Sequence, residues 1–122
     1  MSNEIRKLRP ISVWNKFADL NAVPRPSKKE ERVIAFMKDF GASLGLEVIE
    51  DSVGNVIIKK PASVGMEDRK PIVMQSHLDM VHQKNNGTNF DFLTQGSIKQ
   101  NHIDTDNLNQ RLKINDVYAV KC

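Results

Sequence analysis

The sequence is poor in the residues that staple, span or stack. It has one cysteine, Cys122, so no intramolecular disulfide can form and no second thiolate is at hand for a metal pair. That usage fits a reducing compartment, and the expectation is a cytoplasmic protein. A lone terminal thiol with no base nearby in sequence reads as incidental. Aromatic residues make up only 6%, and the eighteen Lys and Arg against fifteen Asp and Glu leave a net charge of +3. The basic residues Arg6, Lys7, Arg9, Lys28, Lys29, Lys59 and Lys60 are scattered, with little aromatic interleaving. A nucleic-acid binder wants a clustered basic face or a known motif, so these charges read as solvated faces. No apolar run approaches the roughly 20 residues of a membrane helix. The opening MSNEIRKLRP carries no apolar stretch behind its charges, so no secretory signal is expected there. Missing too are a G-x-S-x-G elbow, a phosphate-cradling glycine loop and an H-E-x-x-H helix.

What remains, 39% hydrophobic and 27% charged over 122 residues, is the composition of one small globular domain. SVWNKFADLN predicts a helix from Ser12 to about Asn21, with Trp14, Phe17 and Leu20 (or Val13 and Phe17) on one face. Pro24 and Pro26 then block helix on both sides. Ser27 with Glu30 has capping-box spacing and predicts a second helix carrying Val33, Ile34, Phe36, Met37, Phe40 and Leu44, with Gly45 as its stop. LEVIE (46–50) and VIIK (56–59) predict two strands around the turn DSVGN, and 61–70 an exposed loop. Pro71-Ile72-Val73-Met74-Gln75 is short and almost wholly apolar, the pattern of a strand buried on both faces. The order predicts an α/β fold with a mixed sheet flanked by helices. From Gln95 the chain turns rich in Asn, Gln and Asp, and only KINDVYAVKC reads as one further strand. The expected organisation is a domain part over 1–94 and a divergent tail over 95–122.

The chemistry-bearing pattern is Ser76-His77-Leu78-Asp79, directly after the apolar run. Residues at the carboxyl end of a central strand sit where ligands bind in open α/β sheets. Strand faces alternate, so His77 and Asp79 point the same way. A neutral imidazole is a good zinc ligand, and a carboxylate beside it can fix its tautomer or bind metal itself. The spacing alone is weak: a strand-end histidine satisfied by a neighbouring aspartate fits it equally. His102-Ile103-Asp104 repeats the spacing in a polar, unpatterned stretch and gets no role. His82 either lines the same crevice or lies on the surface. Glu30-Glu31 is explained by capping and the helix dipole.

Longer stretches carry more information: VWNKFADLNAVPRPSKKEE, DSVGNVIIKKPASVGMEDRKPIVMQSHLDMV and QKNNGTNFDF. Through them the chain, over roughly residues 8 to 94, resembles the bacterial aminoacyl-histidine (Xaa-His) dipeptidase family. Those enzymes are co-catalytic zinc metallopeptidases, akin to carnosinases, aminoacylases and tripeptidases. The resemblance implies a catalytic domain of which this chain carries the N-terminal part. It implies metal-dependent hydrolysis of unblocked dipeptides, Xaa-His among them, by two zinc ions per complete site, cobalt or manganese being alternatives. His77 matches a zinc ligand of the family, and Asp79 the catalytic-site aspartate that orients it. Full-length members form homodimers. The glycine-flanked bridging aspartate and the general-base Glu pair of the family find no match here. Asn115-Asp116 lacks the flanking glycines, so Asp116 is not assigned as the bridge. The implied product is truncated or frame-shifted, inactive alone, marginally stable and prone to self-associate. The competing expectation is a non-catalytic module that binds a single metal or a protein partner.

Overall fold

The structure is a computed structural model and describes residues 4–96. Cys122, Asp116, the His102–Asp104 pair and the expected strand in KINDVYAVKC lie outside the described residues. A short 3-10 turn, Ile5–Lys7, leads through Pro10 into helix α1, Ile11–Ala22. Pro10 holds the position before the helix, where its missing N–H costs nothing. Val23 turns extended ahead of Pro24, which crowds the α conformation at the residue before it and ends the helix.

The inner face of α1 differs from the expected one. Trp14, Ala18 and Asn21 are buried, whereas Phe17 is 38% exposed. Ile5 and Leu8 from the preceding turn pack on Trp14 and Ala18, which selects the i, i+4 stripe through those two residues. Phe17 stands at its edge, perpendicular to the Trp14 ring with centroids 5.7 Å apart. The indole N–H donates to Arg9 O at 3.2 Å, so burial leaves no unpaired donor there.

Helix α2, Glu31–Ser43, begins four residues after Ser27, and Ser27 is not its cap. Lys28 takes a left-handed conformation (φ 68°) and Lys29 N–H closes a turn onto Pro26 O, so the chain reverses before the helix starts. The Glu30 carboxylate accepts from Lys28 N–H in that turn. Val33 is fully buried, and Ile34, Phe36, Met37 and Phe40 are half-buried. Gly45 ends the helix as expected: its φ is 67°, and its N–H reaches Ala42 O at 2.9 Å.

Strands β1, Glu47–Glu50, and β2, Val56–Lys59, form an antiparallel hairpin with Val48 opposite Ile58 and Ile49 opposite Ile57. Asp51 builds the turn, accepting from Val53 N at 3.0 Å and Asn55 N at 2.9 Å. Helix α2 lies so close to the hairpin that a Cβ on Gly41 would meet Val48 Cγ2 at 2.5 Å and Ile58 Cδ1 at 3.2 Å. Helix against strands makes this an α/β arrangement, part of a larger domain type.

Residues 61–70 are exposed, as expected of a loop. The expected buried strand at 71–75 is not formed. Ile72, Val73 and Met74 are 85 to 88% exposed. A strand must exchange hydrogen bonds with a neighbour, and among the described residues no strand lies beside this run. Among the described residues the pairing nearby is a single parallel bridge, Pro26 with Met80.

Candidate metal-ligand corner

The corner is built where the Pro24–Ser27 segment meets residues 78–80. Two prolines hold this segment extended. Met80 N–H donates to Arg25 O at 2.8 Å, and Ser27 N–H donates to Met80 O at 3.1 Å. These bonds flank Pro26, so its lack of an N–H is no loss at the centre of the bridge. Arg25 is buried. One guanidinium nitrogen donates to Leu78 O at 2.9 Å and the other to Asn21 Oδ1 at 2.8 Å, tying the last turn of α1 to the 78–80 backbone. Burial lowers the Arg25 pKa, and the nearby Asp79 carboxylate partly opposes that.

Asp79 sits between two donors. Ser27 Oγ–H donates to Oδ2 at 2.6 Å, and His77 Nδ1 lies 3.0 Å from Oδ1 and 2.9 Å from Asp79 O. The Ser27 hydroxyl, followed by the His77 contact, holds the Asp79 carboxyl below the ordinary carboxylate range. Asp79 is therefore an acceptor only, as is the carbonyl, and Nδ1 must carry the proton in this contact. That leaves Nε2 of the neutral ring as a free lone pair on a side chain that is 76% exposed. The arrangement can present one nitrogen donor of fixed orientation to a ligand.

Sequence reasoning placed His77 and Asp79 together, and the structure brings them into contact although no strand carries them. It missed Arg25, Ser27 and Asn21. The available signal was PRPS itself: proline on both sides of Arg25 makes an extended segment that can pair. His82 is exposed and edges against Phe92, with ring centroids 6.5 Å apart, and Phe92 in turn packs on Phe90 at 4.8 Å. Its described ring contact is with that aromatic pair.

A zinc pair is implied by the resemblance, so the donor set can be tested against it. His77 Nε2 fits one ligand position, with Asp79 behind it. Catalytic zinc takes about three protein ligands, and among the described residues no group of three or more His, Cys, Asp or Glu is arranged to hold a metal. The fit is that of a single corner. No helix among the described residues is long and apolar enough to cross a membrane.

The helix-and-hairpin layer with this corner is part of a peptidase domain fold. It superimposes on the crystal structure of aminoacylhistidine dipeptidase from Vibrio alginolyticus with a TM-score of 0.72 and 40% identity, covering 79% of this chain and 20% of that one. The chain is also 46% identical over 90 residues to the cytosol non-specific dipeptidase of Escherichia coli (strain K12), which is 74% of this chain and 19% of that protein. No family model matches. In sequence and in fold the chain is related to this dipeptidase family, and it spans about a fifth of the length of the relatives it matches.

Proposed function

We propose that this chain supplies the first metal-ligand corner of a metal-dependent dipeptidase, with His77 as a zinc ligand through Nε2 and Asp79 as the residue that orients it. The observation that carries this reading is the contact of His77 Nδ1 with Asp79 Oδ1, which leaves Nε2 bare and outward. In the completed site His77 would hold one metal ion with Asp79 behind it, and that ion would supply Lewis-acid chemistry toward the amide bond of a dipeptide such as Xaa-His. The chain's own part is narrower. Asp79 holds the imidazole in one tautomer, and the bridge through Pro26 fixes Asp79. Among the described residues no group of three or more His, Cys, Asp or Glu is arranged to hold a metal, and the expectation is that the 122-residue chain alone does not hydrolyse dipeptides.

The test is a chimera in which the 90-residue match replaces its counterpart in the Escherichia coli relative. The chimera hydrolyses Xaa-His dipeptides with zinc, and its His77→Ala form loses activity. An active His77→Ala chimera removes the ligand assignment. Metal-dependent hydrolysis by the pure chain removes the claim of inactivity.

A second reading, a non-catalytic module that self-associates or takes a protein partner, is favoured by the exposed run Ile72-Val73-Met74. Sedimentation of the purified chain tests the exposed run: a concentration-independent monomer argues against self-association through it.

A further inference from the structure

We propose that Ser27 is a positioning residue for the corner: its hydroxyl, bonded to Asp79 Oδ2, turns the Asp79 carboxylate so that Oδ1 holds the His77 ring in the Nδ1–H tautomer. The proposal deepens the metal-corner reading and rests on it for its functional meaning, although its geometry stands alone.

Asp79 has two carboxylate oxygens and each has its own partner. Ser27 Oγ is 2.6 Å from Oδ2, a short charge-assisted bond, and 3.3 Å from Met80 O. A hydroxyl has one proton to give, and the nearer, charged acceptor takes it. The oxygen is not free to wander. Ser27 N–H is bonded to Met80 O, Met80 N–H to Arg25 O, and Arg25 to Leu78 O, so the same three-residue segment grips the backbone on both sides of Asp79. The Ser27 side chain adds a grip on the carboxylate between them.

His77 has nothing comparable. Its side chain is three-quarters exposed, and the bonds recorded for its ring both go to Asp79. Of these two acceptors, the backbone oxygen at 2.9 Å and Oδ1 at 3.0 Å, only Oδ1 is charged, so whatever sets the carboxylate plane sets the stronger hold on the ring. A rotation of the carboxylate carries Oδ1 away from Nδ1 and leaves the ring only the uncharged Asp79 backbone oxygen, 2.9 Å away, so its preference for the Nδ1–H tautomer weakens. The control runs from Ser27 through Asp79 to the lone pair of Nε2, and it spans a separation of 52 residues between Ser27 and Asp79.

The full chain is expressed with ring-labelled histidine, and the ¹⁵N shifts of His77 are read well above the ordinary imidazole range. His77→Ala assigns the signal. His77 of the unmutated chain is expected mainly in the Nδ1–H form. Ser27→Ala shifts it toward the Nε2–H form, and Ser27→Thr, which keeps a hydroxyl, restores it. If Ser27→Ala leaves the tautomer unchanged while Asp79→Ala alters it, Asp79 is self-sufficient and the proposal is overturned. A second measurement needs no variant: a slowly exchanging Ser27 hydroxyl proton with a through-space contact to the Asp79 side chain supports the bond, and a hydroxyl that exchanges freely overturns it. Titration of zinc into the unmutated chain separates this proposal from the reading beneath it. A shift at Nε2 with a tautomer indifferent to Ser27 keeps the ligand and removes the positioning residue. A tautomer governed by Ser27 with no zinc response keeps the positioning residue and counts against the ligand.

Discussion

Residues 5–60 and residues 61–96 each contain a short apolar run suited to a strand, and the two runs meet opposite fates. In the first region Ile5, Trp14, Ala18 and Val33 are buried, and two helices and a hairpin satisfy their backbone bonds within short spans of chain. In the second, Ile72, Val73 and Met74 form an apolar run as long as Val56-Ile57-Ile58 of β2, yet they are exposed. The length of the apolar run does not separate these two segments. What separates them is where the hydrogen-bond partners lie: a helix contains its own, and β1 finds β2 after a five-residue turn. A central strand needs neighbours from elsewhere in a sheet. Only at 78–80, where the Pro24–Ser27 segment comes alongside, is the second region held to the first by a backbone ladder.

The comparison breaks most visibly at its extremes. Trp14→Ala removes the largest side chain of the buried cluster and its bond to Arg9 O, and the expected loss is about 3–5 kcal/mol, enough to unfold a small domain. Val73→Asp, in an equally apolar setting by sequence, is expected to change stability by less than about 0.5 kcal/mol. Urea unfolding followed by far-UV circular dichroism measures both. A large loss from Val73→Asp would mean that the 71–75 run is packed in solution and that the contrast drawn above is false.

A smaller effect tests how tightly the first region is closed. Gly41→Ala gains helix propensity, worth up to about 1 kcal/mol. Its Cβ, however, arrives 2.5 Å from Val48 Cγ2, a short branched side chain that cannot swing clear. Overpacking of this kind costs about 1–3 kcal/mol, so the net expectation is destabilisation. A stabilised Gly41→Ala protein, by the same urea measurement, would mean that α2 and the hairpin stand further apart.

These contrasts explain what was legible in the sequence. Helix α1, most of α2, the Gly45 stop and the two strands of the hairpin are local, and periodicity and turn chemistry reach them. Ser27 was misread because an N-cap pattern looks only three residues ahead, whereas the hydroxyl is taken by a carboxylate 52 residues away. Phe17 was misplaced because the turn at Ile5–Lys7, with no periodicity of its own, decides which stripe of α1 is covered. The strand pattern at 71–75 describes a residue run suited to a sheet, and it cannot report whether the sheet is there. At the corner, His77 and Asp79 were legible as a spaced pair, while Arg25, which holds Leu78 from 53 residues away, left only the prolines around it as a sign.

Acid sharpens the comparison at a finer level. Asp51 in the first region and Asp91 in the second are both held below the ordinary carboxylate range. The Asn55 side chain and then backbone N–H groups do this for Asp51, and the Thr94 hydroxyl and Leu93 N–H for Asp91. A depressed native pKa means that the unfolded chain binds more protons as pH falls, so each contribution is present above the ordinary range and lost on descent through the native value. Nuclear magnetic resonance titration is expected to show Val53 and Asn55 amides moving together with the hairpin signals, because Asp51 closes the β1–β2 turn. The Leu93 amide moves with Asp91 alone. Coupling of the Leu93 transition to the hairpin would join the two regions.

The smallest effect belongs to the exposed cross-strand pair. Glu47 and Lys59 face each other in the register, with Lys59 Nζ 3.1 Å from Glu47 Oε1, and both side chains are more than half exposed. Solvent screens such a pair, and a double-mutant cycle with Glu47→Ala and Lys59→Ala is expected to give a coupling of about 0.2–1 kcal/mol that falls with added salt. The value matters for its size relative to Gly41. If the coupling is as large as the Gly41→Ala effect, surface charge rather than the close seating of α2 sets the hairpin's stability. If it is near zero, the register is held by Val48, Ile58 and the Asp51 turn, which are the local features that the second region lacks at 71–75.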